Sequence, residues 1–372
     1  MSFSATKAAV LTRHIREEAR RLGFFKTGIT PVRPLPWEDK FNSWLEQGRH
    51  GEMKYLAKQA SRRRDPGLVL QNARSLVIVA ANYFSPDPIS DEPLGGRISR
   101  YAWGEDYHLL MGQRLMALQE SILRADPGAR TLSYVDTGPV MEKVWGAHSA
   151  LGWMGKHTNL ITREQGSWFF IGVVLLDVDL EFDQPEKDHC GTCSRCIPAC
   201  PTGAIVAPYV VDARLCISYL TIELRGTIPR HLRPLIGNRI FGCDDCQEVC
   251  PWNRFAVKTP ERRFGPRSLN LMPELSSLAD ITPEEFSQRY QNSPIRRAKR
   301  DGFVRNVMVA LGNSGSPDAL PGLVRGIHDQ SPLVRAHAAW ALRRIPGDAA
   351  RIMLEQARAT EADPCVMEEL PG

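Results

Sequence analysis

The 372-residue sequence has no long apolar run. The longest, Trp168 to Leu176, falls far short of the roughly 20 residues that a membrane-spanning helix needs, so no membrane partner is expected. The first apolar pattern is broken by Arg13, His14, Arg16, Glu17 and Glu18, which leaves no uninterrupted core for a secretory signal. A soluble, cytoplasmic protein is expected. Cysteine is nearly absent outside one stretch: of nine, eight lie between residues 190 and 250, and Cys365 stands apart as a bystander. In a reducing compartment that concentration argues for metal ligation rather than a disulfide framework. Neither sign of charge dominates. The formal net charge of +5 and pI near 8.7 permit nucleic-acid binding without requiring it.

What is present fits a multidomain globular protein, 43% hydrophobic and long enough for two or three cores. Residues 6 to 22 form an amphipathic pattern, with Ala9, Val10, Ile15 and Ala19 among charges and Gly23 as the stop. Strand composition appears at Phe24 to Ile29, Ser75 to Phe84, Thr131 to Val135 and Trp168 to Val178, with helices expected over Tyr107 to Leu123 and Val140 to Leu151. The overall expectation is an α+β multidomain protein whose N-terminal unit, residues 1–183, is α/β or α+β. Asp183 to Asp188 reads as a boundary before a cysteine-rich unit over residues 184–258. Residues 259–372 lose most strand character. Asp329 to Ile345 resembles a HEAT repeat, with Val334, Ala338, Ala339, Ala341, Leu342 and Ile345 as one packed stripe, and Arg305 to Gly315 resembles the second helix of a preceding unit. A solenoid of about two units must pack on its neighbour to be stable.

Cys190-x2-Cys193-x2-Cys196-x3-Cys200-Pro201 has the spacing of a bacterial ferredoxin run, in which three thiolates grip one iron-sulfur cube and the fourth reaches the next cluster. A helix is expected after Pro201. The second set is Cys243-x2-Cys246-x3-Cys250-Pro251, with Cys216 replacing the missing first member. By the crossing rule Cys190, Cys193, Cys196 and Cys250 hold one 4Fe-4S cluster, and Cys200, Cys216, Cys243 and Cys246 hold the other. Paired tetrathiolate zinc sites are the alternative, though these present two separated C-x2-C pairs rather than a run of four with Pro behind it. Two adjacent cubes relay electrons and bind no organic substrate. Something else in the chain must be reduced.

Four segments carry a resemblance across nearly the whole chain: Ser99 to His108 (SRYAWGEDYH), Val135 to Pro139 (VDTGP), Cys216 to Thr221 (CISYLT) and Gly237 to Cys246 (GNRIFGCDDC). In them the sequence resembles the epoxyqueuosine reductases. That resemblance implies a cobalamin-dependent enzyme that reduces epoxyqueuosine to queuosine at the wobble position of tRNA, with electrons passing through two 4Fe-4S clusters to cobalamin. It implies an N-terminal cobalamin-binding domain, a ferredoxin-like domain and a HEAT-like tail that grips tRNA. It gives Asp136 the role of proton donor, for which burial or a neighbouring negative charge must raise its pKa. Asp136-Thr137-Gly138-Pro139 before a helix is equally a good capping sequence. For the corrin it points to Arg63, Ser99, Asp136, His157, Ser218, Asp244 and Asp245. An Asp-x-His-x-x-Gly corrinoid motif is lacking, since Asp106-x-His108 is followed by Gly112, one residue late.

The expected partners are the tRNA anticodon stem-loop and an external electron donor, and the expected state is a monomer. Arg289, Arg296, Arg297, Lys299, Arg300 and Arg305 are candidates for phosphate contacts, and Tyr101, Trp103 and Tyr107 for stacking on splayed bases. Two other readings compete: a non-catalytic electron carrier and a corrinoid reductive dehalogenase, the latter having no need of a HEAT-like tail.

Overall fold

The computed structural model describes residues 6–88 and 92–371. The first helix, Lys7–Arg21, starts where the Thr6 side chain accepts from the Ala9 amide at 3.1 Å. It ends at Gly23, whose φ of +87° suits a residue without Cβ. Its buried face is Leu11, Thr12, Ile15 and Ala19. Val10, expected on that face, is 54% exposed, because the stripe runs one residue later.

A four-stranded sheet forms the N-terminal unit, in the order Lys26–Pro31, Ser75–Asn82, Phe169–Leu176, Thr131–Tyr134. Every pairing in it is antiparallel. The α/β class expected for this unit is thus corrected to α+β. The physical reason lies in the central strand, Ser75–Asn82, which is buried along its whole length. Val77, Val79 and Ala81 pack with the helices Lys7–Arg21 and Tyr107–Ala125. Leu76, Ile78 and Ala80 pack with Val140, Val144, Trp145 and Leu151 on the other face. A strand covered on both sides reads as one apolar run, as the strands of parallel sheets do.

The cysteine-rich segment is threaded into both of its neighbours. Arg97–Ile98 pairs in parallel with Arg239–Phe241. Ile98, Ala102 and Trp103 share one core with Ala213, Leu220, Ile236 and Phe241 and with the helical tail. The helix expected after Pro201 is absent. The Ala204 amide donates instead to Cys200 Sγ at 3.2 Å, Gly203 takes φ +65°, and the chain turns into the short strand Ile205–Ala207.

The tail consists mainly of the helices Lys299–Ser314, Leu320–Ile327, Pro332–Leu342 and Asp348–Thr360. The stripe Val334, Ala338, Ala339, Ala341 and Leu342 is wholly buried, and Ile345 nearly so. A fully buried Val, Leu or Ile contributes about 1.5–3 kcal/mol. Polar anchors fix the tail to the cluster segment: Asn306 donates to the carbonyls of Thr221 and Ile240 at 2.8 and 2.9 Å.

Candidate active site

A cavity of about 1320 Å³ opens where the sheet unit, the cysteine segment and the approach to the tail meet. Cavities for drug-sized ligands run roughly 300–1,000 Å³, so this one exceeds what such a ligand needs. Six of the seven corrin candidates line it: Arg63, Ser99, Asp136, His157, Ser218 and Asp245. Asp244 stands behind the wall. Its carboxylate accepts from the Ser99 hydroxyl and, at 2.8 Å, from the Arg100 amide, so it holds Ser99 in place rather than facing the cavity. Asp245 faces the cavity while paired with Arg239 at 2.6 Å.

The cysteines divide by position. Cys200, Cys216, Cys243 and Cys246 line the cavity, whereas Cys190, Cys193, Cys196 and Cys250 do not. Burial and then the neighbouring sulfurs of Cys190, Cys250 and Cys193 push the Cys196 thiol up to about 11. In the other group Cys246 is raised by burial and then by Cys216, with Cys200 contributing. Four thiolates crowded in this way need a shared cationic core to stay ionised together. The ferredoxin spacing of the cysteines suits an iron-sulfur cube as that core.

Asp106, which also lines the cavity, caps the helix Tyr107–Ala125, its carboxylate accepting from the His108 amide at 3.0 Å and lying 2.7 Å from His108 Nδ1. The other ring nitrogen, Nε2, lies 3.6 Å from Asp136 Oδ2, which also accepts from the Tyr107 hydroxyl at 3.0 Å. Tyr107 is fixed by stacking on Phe170 with centroids 4.3 Å apart. Asp136 sits at φ +58°, a left-handed conformation that Asp tolerates at a cost of about 1–3 kcal/mol. Gly138 lets this loop fold back, since a Cβ there would collide with the Tyr134 ring.

This geometry sets the charges. The surroundings of the exposed Asp136 carboxyl push it up, but His108, Tyr107 and Lys143 together outweigh them and hold the group below the usual carboxylate range. For His108, burial disfavours the charge, yet Asp106 and Asp136 raise it to about 9. Within this pair the raised pKa is on His108 and the lowered one on Asp136. In the sequence His108 stands out only within a corrinoid motif that is one residue out of register. The signal that marks it is the Asp-x-His spacing that caps a helix.

Four buried polar atoms around the cavity lack hydrogen-bond partners: Arg63 Nε, His108 Nε2, His157 Nε2 and Glu142 Oε1. His157 is held down to about 4 by burial and by the Lys143 charge, and its Nδ1 accepts from the Asn159 amide at 3.2 Å. The proton of this neutral ring is thereby assigned to Nε2. Arg63 and His157 thus present donors to a large ligand with amide carbonyls at its rim, which is the chemistry a corrin offers.

The basic run does not act as one patch. Arg305 is fully buried, donating to the carbonyls of Leu220, Leu224 and Gly226 at 2.7, 2.9 and 2.7 Å. Arg300 pairs with Asp329 at 2.5 Å, and Trp103 is buried with its indole N–H donating to the Ile98 carbonyl at 2.7 Å. These three are removed from the phosphate and stacking candidates. Arg296 and Arg297 line the cavity, Arg297 paired with Glu223 at 2.8 Å, and Lys299 is exposed. Tyr101 and Tyr107 line the cavity.

Known proteins share this organisation. Residues 189–253 match the profile of a 4Fe-4S double cluster binding domain, residues 63–137 that of "Epoxyqueuosine reductase QueG", and residues 302–369 that of HEAT repeats. The epoxyqueuosine reductase of Xanthomonas campestris pv. campestris is 44% identical over 335 residues, covering 88% of this chain and 94% of that protein. A crystal structure of epoxyqueuosine reductase with a tRNA-Tyr epoxyqueuosine-modified tRNA stem loop matches with a TM-score of 0.89 at 30% identity, over 97% of this chain and 96% of that one. The enzyme from Bacillus subtilis, solved with an aspartate-bearing catalytic loop swung out of the active site, matches with a TM-score of 0.90 at 29% identity over 97% of each chain. The identity extends from the segment carrying Asp136 through the cysteines to the tail, and the chain belongs to the epoxyqueuosine reductase family.

Proposed function

We propose that this chain reduces epoxyqueuosine to queuosine at the wobble position of tRNA, with electrons drawn through two 4Fe-4S clusters into cobalamin held in the cavity. The observation that carries this reading is that one cavity is lined both by the four cysteines assigned to one cluster and by the Asp136 and His108 pair. Cobalamin, when bound, supplies a reduced cobalt centre able to deliver electrons to a strained epoxide.

The chain's own residues supply the rest. Arg63 and His157 donate to the cofactor's rim, Ser99 is positioned by Asp244, and Ser218 and Asp245 contribute from the cluster segment. Asp136 presents a carboxylate to the departing oxygen, and His108 holds the proton that travels through it. Cys190, Cys193, Cys196 and Cys250, set away from the cavity, would hold the cluster nearer an external electron donor. Cys200, Cys216, Cys243 and Cys246 would hold the cluster beside the cavity. Residues 1–183 supply the cobalamin wall and the acid, 184–258 the clusters, and 259–372 the tail that grips the tRNA stem. These are divisions of ligand rather than of folding, because Ile98, Leu220 and Leu311 share one core. Arg296 and Arg297 at the rim suit the anticodon loop's phosphates. Among the described residues no helix is long and apolar enough to cross a membrane. The place of work proposed is the cytoplasm, where the tRNA is.

Titrating cobalamin into cluster-reconstituted protein tests the cofactor assignment. One equivalent per chain with a shifted visible spectrum is expected, weakened in Arg63→Ala. No binding would leave a non-catalytic electron carrier as the better reading.

A further inference from the structure

Removing an epoxide oxygen as water breaks both carbon–oxygen bonds, leaves an alkene, and consumes two electrons and two protons, with both protons ending on the oxygen. On the function proposed above, on which this inference rests, the clusters bring the electrons one at a time and the Asp136 and His108 pair brings one proton. The second proton must reach the same oxygen inside the cavity.

Five carboxyl groups line that cavity: Asp106, Asp136, Glu142, Glu223 and Asp245. Four of them are compensated as carboxylates. Asp106 and Asp136 face His108, Glu223 pairs with Arg297 at 2.8 Å, and Asp245 pairs with Arg239 at 2.6 Å. Of the five, only Glu142 leaves a carboxyl oxygen, Oε1, buried without a partner. It is the first residue of the helix Glu142–Ala147, at the end of the loop that carries Asp136. We propose that Glu142 is the second proton donor, entering each cycle as a neutral carboxylic acid and passing its proton to the oxygen as it leaves.

The surroundings favour that neutral form. Asp136 faces it from the loop, Arg63 from the helix Ala60–Arg64 and Lys143 from its own helix, while His157 across the cavity is neutral. Lys143 is engaged with the Asn159 side chain at 2.8 Å. Burial, and then the negative charge of Asp136, raise Glu142 to about 8 against the weaker pull of its helix start, Arg63 and Lys143. Two carboxyls in one cavity, one ionised and one protonated, are how a single site divides its acid and base roles. One buried proton is thereby ready at neutral pH while the other arrives through His108.

The test compares wild type, Glu142→Gln and Glu142→Asp, each with clusters and cobalamin loaded, in single turnover on tRNA bearing epoxyqueuosine. Glutamine keeps the shape and removes the acidic proton. A fall of about 100-fold in rate is expected, within the usual range for losing a general acid, with partial recovery in Glu142→Asp. The wild-type rate should fall as pH rises through about 8, and that limb should be missing from the residual rate of Glu142→Gln. A second readout does not depend on turnover. Infrared spectra of the protein between pH 6 and pH 10 should show a protonated-carboxyl band that titrates near 8 in wild type and is missing in Glu142→Gln. Iron content and the bound-cobalamin spectrum, unchanged across the three, exclude misfolding. A Glu142→Gln enzyme with wild-type rate and pH limb overturns the donor role, as does wild-type protein without the infrared band. Wild type that shows the band but no conversion overturns the proposed function instead, and the donor role with it.

Discussion

His108 Nε2 lies 3.6 Å from Asp136 Oδ2, while its other ring nitrogen lies 2.7 Å from Asp106 Oδ1, so one imidazole is held between two carboxylates. In the proposed mechanism one of the two protons is stored on this ring, not on the aspartate proposed to meet the substrate. Asp136→Asn keeps the left-handed backbone, which Asn adopts readily, and removes only the carboxylate. A loss of about 100-fold or more in single-turnover rate is expected, with cobalamin and iron content unchanged. Turnover at the wild-type rate would remove Asp136 from the reaction.

The two carboxylates hold His108 charged until the pH rises through about 9. Carbon-13 NMR of labelled histidines should therefore show one ring that titrates near 9, is missing in His108→Gln, and titrates at lower pH in Asp106→Asn. The sign comes from the partners: removing a negative charge makes the imidazolium easier to deprotonate. A ring unaffected by Asp106→Asn would contradict the pairing.

Cys190 and Cys200, ten residues apart, are assigned to different clusters in the proposed function, and of the two only Cys200 lines the cavity. Anaerobic reconstitution of Cys190→Ser, Cys200→Ser and the double variant separates the possibilities. Each single variant should fall from about eight irons per chain to about four, and the double variant should hold almost none. A double variant that keeps about four would place both residues on one cluster.

Arg305 and Arg296 are nine residues apart and do different work. Arg305→Ala strands three backbone carbonyls and should destabilise the fold by about 3 kcal/mol or more, read by thermal melting. Arg296→Ala should leave melting unchanged, weaken tRNA binding and reduce its salt slope by about one. The reverse pattern would move the tRNA surface elsewhere.

These cases show what the sequence carries and what it does not. The double-cluster segment is legible because thiolate spacing is set locally by the cube, and the solenoid stripe because helical periodicity is local too. Arg305 looks like its basic neighbours because the carbonyls that bury it lie about 80 residues earlier in the chain. The sheet's direction is hidden because Ser75–Asn82 is covered on both faces. Asp136 is legible as a cavity residue, but its charge depends on His108, which another element brings to it. Glu142 gives no sign at all, since a glutamate at a helix start is ordinarily solvated.

The most direct measurement is nucleoside mass spectrometry of epoxyqueuosine-containing tRNA after anaerobic incubation with reduced, cluster-loaded protein, with and without cobalamin. The account predicts conversion to queuosine only when clusters and cobalamin are both present. Conversion without cobalamin, or none with both cofactors bound, would contradict it.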